Sequence, residues 1–417
     1  MGLLSPNKYA AILNSFGDKE DTEITMRQLG AYDLKHIYNK NRKRLDKHFE
    51  KLLVLKQRKK ELNALNHKND SSQSDHEGLE NVEIVPSSES EFEDIDHFLS
   101  DDSNIGEIYT NAASMNLYLN DFVPVQELKY SEKQNTDLEY YQFYEMENEV
   151  SNLVWKSQEI INFPNELSIF TFGRNNFTPY PPPKLGLSNS MNYYLFDASS
   201  ALTVLLLDIQ DGENIADFCA APGGKSLIMI MERKKNCKFL LNDISKARFS
   251  KLKHVYETFV PEQERKNITL SNEDATKIQK FGNFDKILVD VPCTNDRHSL
   301  YEPDNNIFSQ KRLDERIKIP INQFKLLKNA LRCVKPGGTV VYSTCSLSPI
   351  QNDGVVHQAL LELSNDYSFT VIKLKNCLRP FRGLFQMDNS FKYGIQILPH
   401  LPCNFGPMYF SKIVKNL

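Results

Sequence analysis

Hydrophobic and polar positions follow two different rhythms along this chain. From about residue 213, short apolar runs alternate with longer amphipathic stretches. "NIADFCA" (214–220), "CKFLLND" (237–243), "NITLSNED" (267–274), "FDKILVDV" (284–291) and "GTVVYSTCS" (338–346) have the length and β-branched content of buried strands. Between and after them, "GGKSLIMIMERK" (223–234), "SKARFSKLKHVYETF" (245–259), "PINQFKLLKNALRCV" (320–334) and "IQNDGVVHQALLEL" (350–363) carry helical spacing. This alternation predicts an α/β fold with a mostly parallel, doubly wound sheet, whose ligands bind beyond the carboxyl ends of the strands. The last segment, "YGIQILPHLPCNFGPMYFSKIVK" (393–415), reads as two strands and a loop, an antiparallel edge hairpin.

Upstream the pattern is looser. Residues 6–61 read as mostly helical, "EYYQFYEMENEVSNLVWKSQEII" (139–161) as helix and "LSIFTFGR" (167–174) as a short strand. "TPYPPPKLG" (178–186) is an extended connector outside any central sheet. "NYYLFDASSALTVLLLDI" (192–209) reads as an amphipathic helix.

Composition changes this picture in one place. Residues 69–128 hold 15 Asp and Glu and no Lys or Arg, and 66–110 are rich in Ser with few core-forming side chains. Such a segment cannot bury enough apolar surface to offset its ordering entropy, so it is expected to be disordered. The expected organisation is a basic helical region at 1–65, an acidic insert at 66–110, an extension at 111–184 and a catalytic domain at 185–417. The formal net charge is −4; without 69–128 the rest of the chain carries +11, of which +7 lies in residues 1–68. "NKNRKRLDKHFEKLLVLKQRKKE" (39–61) is a basic helix with a Leu/Phe face that permits a polyanionic partner such as RNA.

The 7 cysteines include no CxxC pair, which argues against a disulfide framework, and Cys and His residues show no zinc spacing, so no metal is expected. No apolar run reaches the length of a membrane span. The N-terminus is not Arg-rich and turns acidic by Asp18, a poor match to a transit peptide.

Candidate chemistry gathers at the predicted strand tips. In "DFCAAPGGKS" (217–226), Ala220, Ala221, Gly223 and Gly224 allow close approach of backbone to a ligand, and a helix start follows. Asp243 ends the second strand and can accept hydrogen bonds from both hydroxyls of a ribose. Asp274 follows the third strand, where it could meet an adenine amino group. Together these positions suggest a nucleoside cofactor lying across the strand tips. Cys293, in Asp290-Val291-Pro292-Cys293, and Cys345, after Ser343-Thr344, stand at the tips of two further strands. A thiolate beside such a cofactor suggests covalent catalysis.

These motifs resemble the Sun-domain (Nol/Nop/Sun) RNA cytosine-5 methyltransferases. That family carries Cys-Ala-Ala-Pro-Gly-Gly-Lys, Asp-x-Pro-Cys and Ser-Thr-Cys-Ser, which stand here as 219–225, 290–293 and 343–346. The resemblance covers about 185–417. "VDVPCTNDRHSL", "NNIF" (305–308), "NFGPMYF" (404–410) and "LLSPNKYAAILNSFGD" (3–18) are most similar to its mitochondrial ribosomal RNA branch. The departures are the missing transit peptide, the acidic insert, and Asp274-Ala275 where the family has Asp-Gly.

The resemblance implies a Rossmann-like, class I methyltransferase domain that uses S-adenosyl-L-methionine. It implies cofactor contacts from Cys219, Ala220, Ala221, Pro222, Gly223, Gly224 and Lys225, with Asp243, Arg248, Asp274 and Asp290 as further candidates. The expected product is 5-methylcytosine in mitochondrial small-subunit ribosomal RNA, with a role in ribosome assembly, a mitochondrial location and a helical-repeat RNA-binding partner of the mTERF type. In the implied reaction Cys345 adds to C6 of cytosine, Cys293 assists product release and Asp290 bonds the N3/N4 edge of the base. The residues alone do not choose between the two cysteines. An acid role for Asp290 would require burial to raise its pKa. The target base must be unstacked, hence single-stranded or opened RNA. An amino-methylating enzyme would carry Asn/Asp-Pro-Pro-Tyr/Phe in place of Asp290–Cys293. The other readings are a small-molecule methyltransferase and a non-catalytic RNA-binding ribosome-assembly factor that keeps the fold.

Overall fold

The computed structural model describes residues 2–70, 150, 152–186, 188–302 and 306–416. These divide into two units, one within 1–35, 130–379 and 384–417 and the other within 36–129 and 380–383. Most of the acidic insert and of the 111–184 extension lies outside the described residues.

The first unit begins with β1 (Ala10–Leu13), α1 (Lys19–Gln28) and β2 (Tyr32–Asp33), and α2 (Leu34–Asp70) follows. Next come β3 (Leu153–Ser157), β4 (Ile169–Thr171), β5 (Tyr193–Phe196) and α3 (Ala198–Leu205). An antiparallel four-stranded sheet runs β2-β4-β1-β5. Three sequence expectations are corrected here. Residues 10–13 form a strand inside the region read as helical. Residues 193–196 form a strand, and the helix begins only at Ala198, capped by Asp197. Residues 153–157, read as helix, pair in parallel with a strand 216 residues away in sequence, Leu153 facing Phe369. In each case strand pairing overrode a local apolar spacing that suits either element. In the second unit Tyr38 of α2 packs on Phe381 with ring centroids 5.0 Å apart, and Asn41 donates to Pro380 O at 2.8 Å.

The alternating pattern after residue 213 gives β6 (Asn214–Asp217), α4 (Gly224–Met231), β7 (Lys238–Asn242), α5 (Lys246–Phe259), β8 (Ile268–Ser271) and β9 (Phe284–Asp290). It continues through α6 (Asp296–Ser299), α7 (Leu313–Cys333), β10 (Val334–Thr344), α8 (Val355–Leu363) and β11 (Phe369–Lys373). Helix α7 starts seven residues before the expected Pro320, which it carries in its interior. After α9 (Lys375–Leu378) come β12 (Gln386–Asp388), β13 (Ile395–Leu398) and β14 (Met408–Lys415).

The large sheet runs β12-β13-β14-β10-β9-β6-β7-β8, with β10, β9, β6, β7 and β8 parallel to one another. The expected terminal hairpin is present, but not at an edge. β14 is antiparallel to β10 on one side; on the other its first residues pair with β13 and its last with β11. Ile287 and Val289 pack with Leu327, Ala330 and Leu331 of α7 and Val355, Val356 and Leu360 of α8. Burial of these strands leaves their carboxyl ends as the one rim where β6, β7, β9 and β10 release their chains together.

Candidate active site

The cofactor-type loop leaves β6 at Asp217 and enters α4 at Gly224. Ala220 N–H donates to Asn242 O at 2.7 Å and Ala221 N–H to Asp243 Oδ2 at 3.3 Å, so the loop is tied to the tip of β7. Gly223 has φ +120°, and a Cβ there would press on Leu252 and Val255 at 3.2 Å. A Cβ on Gly224 would stand 3.2 Å from the Tyr194 ring. The two glycines let the loop pass between these side chains.

A cavity of about 180 Å³ opens beside this loop, lined by Tyr194, Ala221, Pro222, Lys225, Asp217 and Asp290 among others. Asp243 is buried at 2% exposure, and its oxygens accept from Ser245 N–H at 2.9 Å and Ala221 N–H at 3.3 Å. Arg248 stands 3.6 Å from Asp243 and also donates to Ala221 O. A carboxylate oxygen has two acceptor sites, so Asp243 retains capacity for ribose hydroxyls. The glycine cradle, the cavity and this buried acid fit S-adenosyl-L-methionine.

Asp274 holds the turn that follows β8. It caps the turn at 275–277, accepting from Thr276 N and Oγ1 at 3.0 and 2.7 Å and pairing with Lys277 at 3.2 Å. Burial pushes its carboxyl up, but the Thr276 hydrogen bonds and the Lys277 ammonium outweigh this and hold it below the usual range. Cys219 is buried in the loop, and burial, with Asp217 and Asp243 nearby, pushes its thiol well up. It lines the cavity together with Ala220 and Ala221.

Asp290, at the end of β9, sits at the centre of the site. Its Oδ2 is 2.8 Å from Lys225 Nζ, and its Oδ1 accepts from Ser343 Oγ at 2.8 Å. Burial alone would lower the Lys225 pKa; Asp290, Cys345 and Asp217 together raise it. Asp217 accepts from Cys219 N–H at 3.2 Å and Ser226 Oγ–H at 2.7 Å. Burial, reinforced by Asp290 against the Ser226 hydrogen bond, pushes its carboxyl up to about 7.

The two sequence-predicted cysteines meet here. Cys293 Sγ and Cys345 Sγ are 3.0 Å apart, because β9 and β10 are parallel neighbours with Asp290 opposite Ser343. Contact with Cys293 and then burial push the Cys345 thiol well up, while Lys225 pulls it down. Asn295, in the left-handed region at φ 47°, touches both sulfurs: its N–H donates to Cys293 Sγ at 3.4 Å and its Oδ1 accepts from Cys345 Sγ–H at 3.4 Å.

Sequence reading missed the residues that hold these loops together. Asp296 accepts from Leu347 N–H at 2.7 Å and from Ser346 Oγ at 3.3 Å, joining the two cysteine loops. Gln351 bonds Thr294 through both its amide atoms, and Gln323 donates to Pro292 O at 2.9 Å. Buried Arg297 donates to Gly406 O at 2.6 Å and Asn404 Oδ1 at 2.9 Å, while Asn404 donates to the carbonyls of Gly2, Ser5 and Pro6. Tyr194 and Asp217 also escaped attention, although Asp217 was visible as a lone acid at the end of an apolar strand.

Residues 204–414 match the family described as 16S rRNA methyltransferase RsmB/F. The chain is 41% identical over 258 residues to the 5-cytosine rRNA methyltransferase NSUN4 of Xenopus laevis, covering 60% of this chain and 63% of that one. It is 42% identical over 261 residues to the Bos taurus protein of the same name, covering 60% of this chain and 67% of that one. With a Danio rerio protein named tRNA (cytosine(34)-C(5))-methyltransferase, mitochondrial, identity is 36% over 230 residues, 54% of this chain and 60% of the relative. The match takes in the loop, Asp290 and both cysteines, and the chain belongs to the RsmB/F family of 16S rRNA methyltransferases.

Proposed function

We propose that this chain methylates C5 of a cytosine in RNA, with S-adenosyl-L-methionine as donor, through a covalent cysteine–C6 intermediate. The observation that carries this reading is the pair of thiols 3.0 Å apart beside the Asp290–Lys225 pair and the glycine-lined loop. C5 of cytosine is a poor nucleophile. Addition of the Cys345 thiolate to C6 gives C5 enamine character, so that it can take the electrophilic methyl group the donor supplies. The C5 proton then leaves to a base, the C6–sulfur bond breaks and the electron pair returns to Cys345. Asp290 is placed to bond the N3/N4 edge of the ring, and Cys293 adjoins the sulfur that must depart. The two sulfurs stand too close for both to carry charge, which favours a single attacking thiolate.

The test is transfer of labelled methyl from donor to ribosomal RNA. Cys345→Ala is expected to abolish transfer and form no covalent RNA adduct, whereas Cys293→Ala should accumulate an adduct that survives denaturing gels. An adduct that persists in Cys345→Ala and vanishes in Cys293→Ala reverses the roles. No transfer by the native protein would leave the non-catalytic assembly factor as the better reading.

The proposal extends to mitochondrial small-subunit ribosomal RNA as substrate, a role in ribosome assembly, a mitochondrial location and a helical-repeat partner of the mTERF type. The NSUN4 relatives, named 5-cytosine rRNA methyltransferases, support the ribosomal substrate, the mitochondrial name of the Danio rerio relative supports the location, and the motifs shared with the mitochondrial branch are the ground for the assembly role and the partner. The proposed organisation keeps 1–65 and 111–184 as accessory regions and 185–417 as the catalytic domain.

A further inference from the structure

A second cavity, of about 260 Å³, lies at the sheet edge between the end of β11 and the loop that joins β12 to β13. Trp155 and Phe391 line it half-buried; Lys373, Lys375 and Lys392 stand exposed around it. Trp155 stacks on buried Tyr393 with centroids 5.8 Å apart and planes 18° from parallel. Lys373 Nζ lies over the Trp155 ring at 5.4 Å and Lys392 Nζ over Tyr393 at 5.4 Å. Neither Lys373 nor Lys392 is in an ion pair with a described residue. Their ammonium groups rest on aromatic faces, a weak hold that a phosphate can replace.

The cavity is tied to the catalytic rim. Asp353, eight residues after Cys345, accepts from Lys392 N–H, from Tyr393 N–H at 3.1 Å and from the Tyr409 hydroxyl. Tyr409 pairs with Thr344, the residue before Cys345. The register sets Trp155 three strands from β10 and level with Val340, five residues before Cys345, which is about 20 Å from the thiols at ordinary strand spacing and rise.

We propose that this cavity is a nucleotide subsite for the single-stranded RNA that flanks the target cytosine. One base enters against Trp155 and Phe391, while Lys373 and Lys392 meet the phosphates on either side. An aromatic platform flanked by Lys373 and Lys392 is the pattern that binds single strands without reading sequence, and about 260 Å³ has no room for a duplex. The proposal rests on the RNA reading above and adds to it where the strand runs.

Trp155 is the only tryptophan in the chain, so its emission reports on this cavity alone. The full chain is titrated with a mixed-sequence single-stranded oligoribonucleotide, following both Trp155 emission and RNA anisotropy at several salt concentrations. Emission should be quenched with the same midpoint as the anisotropy change. The double variant Lys373→Ala/Lys392→Ala should bind about 10-fold more weakly, with a salt slope shallower by about 1.4, two phosphate contacts at the single-strand value. Unchanged S-adenosyl-L-methionine binding serves as its folding control. RNA binding that leaves Trp155 emission unchanged, or a double variant with native affinity and slope, overturns the subsite while leaving the methyltransferase reading intact. Absence of any RNA binding by the chain alone overturns the subsite, and methyl transfer from labelled donor to ribosomal RNA then decides the methyltransferase reading separately.

Discussion

Asp217 is the acid whose environment departs furthest from water among those lining the cofactor-side cavity, and replacing it with asparagine gives a quantitative test. The side chain is 1% exposed. Burial first, and the nearby Asp290 carboxylate, push its pKa up to about 7. In the unfolded chain the same group titrates near 3.9, as a free aspartate does. Between about pH 4 and pH 7 the folded state therefore holds a proton that the unfolded state has lost. The contribution of Asp217 to stability must fall as pH rises through that window and level off above it. Three units of pKa difference correspond to about 4 kcal/mol. Asparagine has the same shape and cannot ionise. Its Oδ1 can accept from Cys219 N–H and its Nδ2 can donate to Ser226 Oγ, so both native contacts survive. Asp217→Asn should match the native protein near pH 4 and exceed its stability by about 4 kcal/mol at pH 8. Urea unfolding of both proteins at pH 5, 6, 7 and 8 measures this difference. Other buried acids, such as Glu232, which burial pushes to about 8, titrate in both proteins and cancel in the comparison. A stability difference that stays constant from pH 5 to 8, or a variant less stable at pH 8, would refute the argument.

Two further outcomes follow from the site and the charge distribution. Asp243→Ala should weaken S-adenosyl-L-methionine binding by about 1.5–3 kcal/mol, the worth of hydrogen bonds to a charged group, and calorimetry showing native affinity would remove the ribose assignment. Residues 129–417 carry only +4, so RNA binding by the chain alone should be weak and salt-sensitive and should tighten with the proposed partner. Tight, site-selective mobility shifts without the partner would end the partner proposal.

The central sheet was legible because each of its parallel strands is a short apolar run closed by a turn and followed by a helix. β6 to β10 fall where the pattern put them. What escaped lies upstream. β1, β3 and β5 are aromatic-rich or apolar stretches of four or five residues whose strand state comes from partners far along the chain, as when Leu153 meets Phe369. No local signal distinguishes such a stretch from a turn of helix. The site divides in the same way. Cys293, Cys345, Asp290 and the 219–225 loop were readable because each motif is contiguous. The hydrogen bonds that fix them, Asp296 to Leu347 and Gln351 to Thr294, join residues more than fifty positions apart, and nothing in either local segment announces the other.

The arrangement of charges explains why a resting site can keep both sulfurs unreacted and still be ready. Lys225 acts electrostatically on Asp290, Asp217 and Cys345, so three acids share one half-buried cation. A single positive charge cannot stabilise three negative ones in a medium that screens poorly. Asp217 is held back by burial, Asp290 has the direct contact at 2.8 Å, and Cys345 is held as a thiol by Cys293 and burial. In the proposed mechanism Cys345 becomes an anion once the balance around Lys225 shifts, and a base bound through Asp290 supplies that shift. A ring that hydrogen-bonds the Asp290 carboxylate takes over part of its charge and leaves more of the Lys225 field for the sulfur. On that proposal the nucleophile is activated by the substrate it attacks, which would couple thiolate formation to the presence of a flipped cytosine and limit idle reaction of the thiol with other electrophiles.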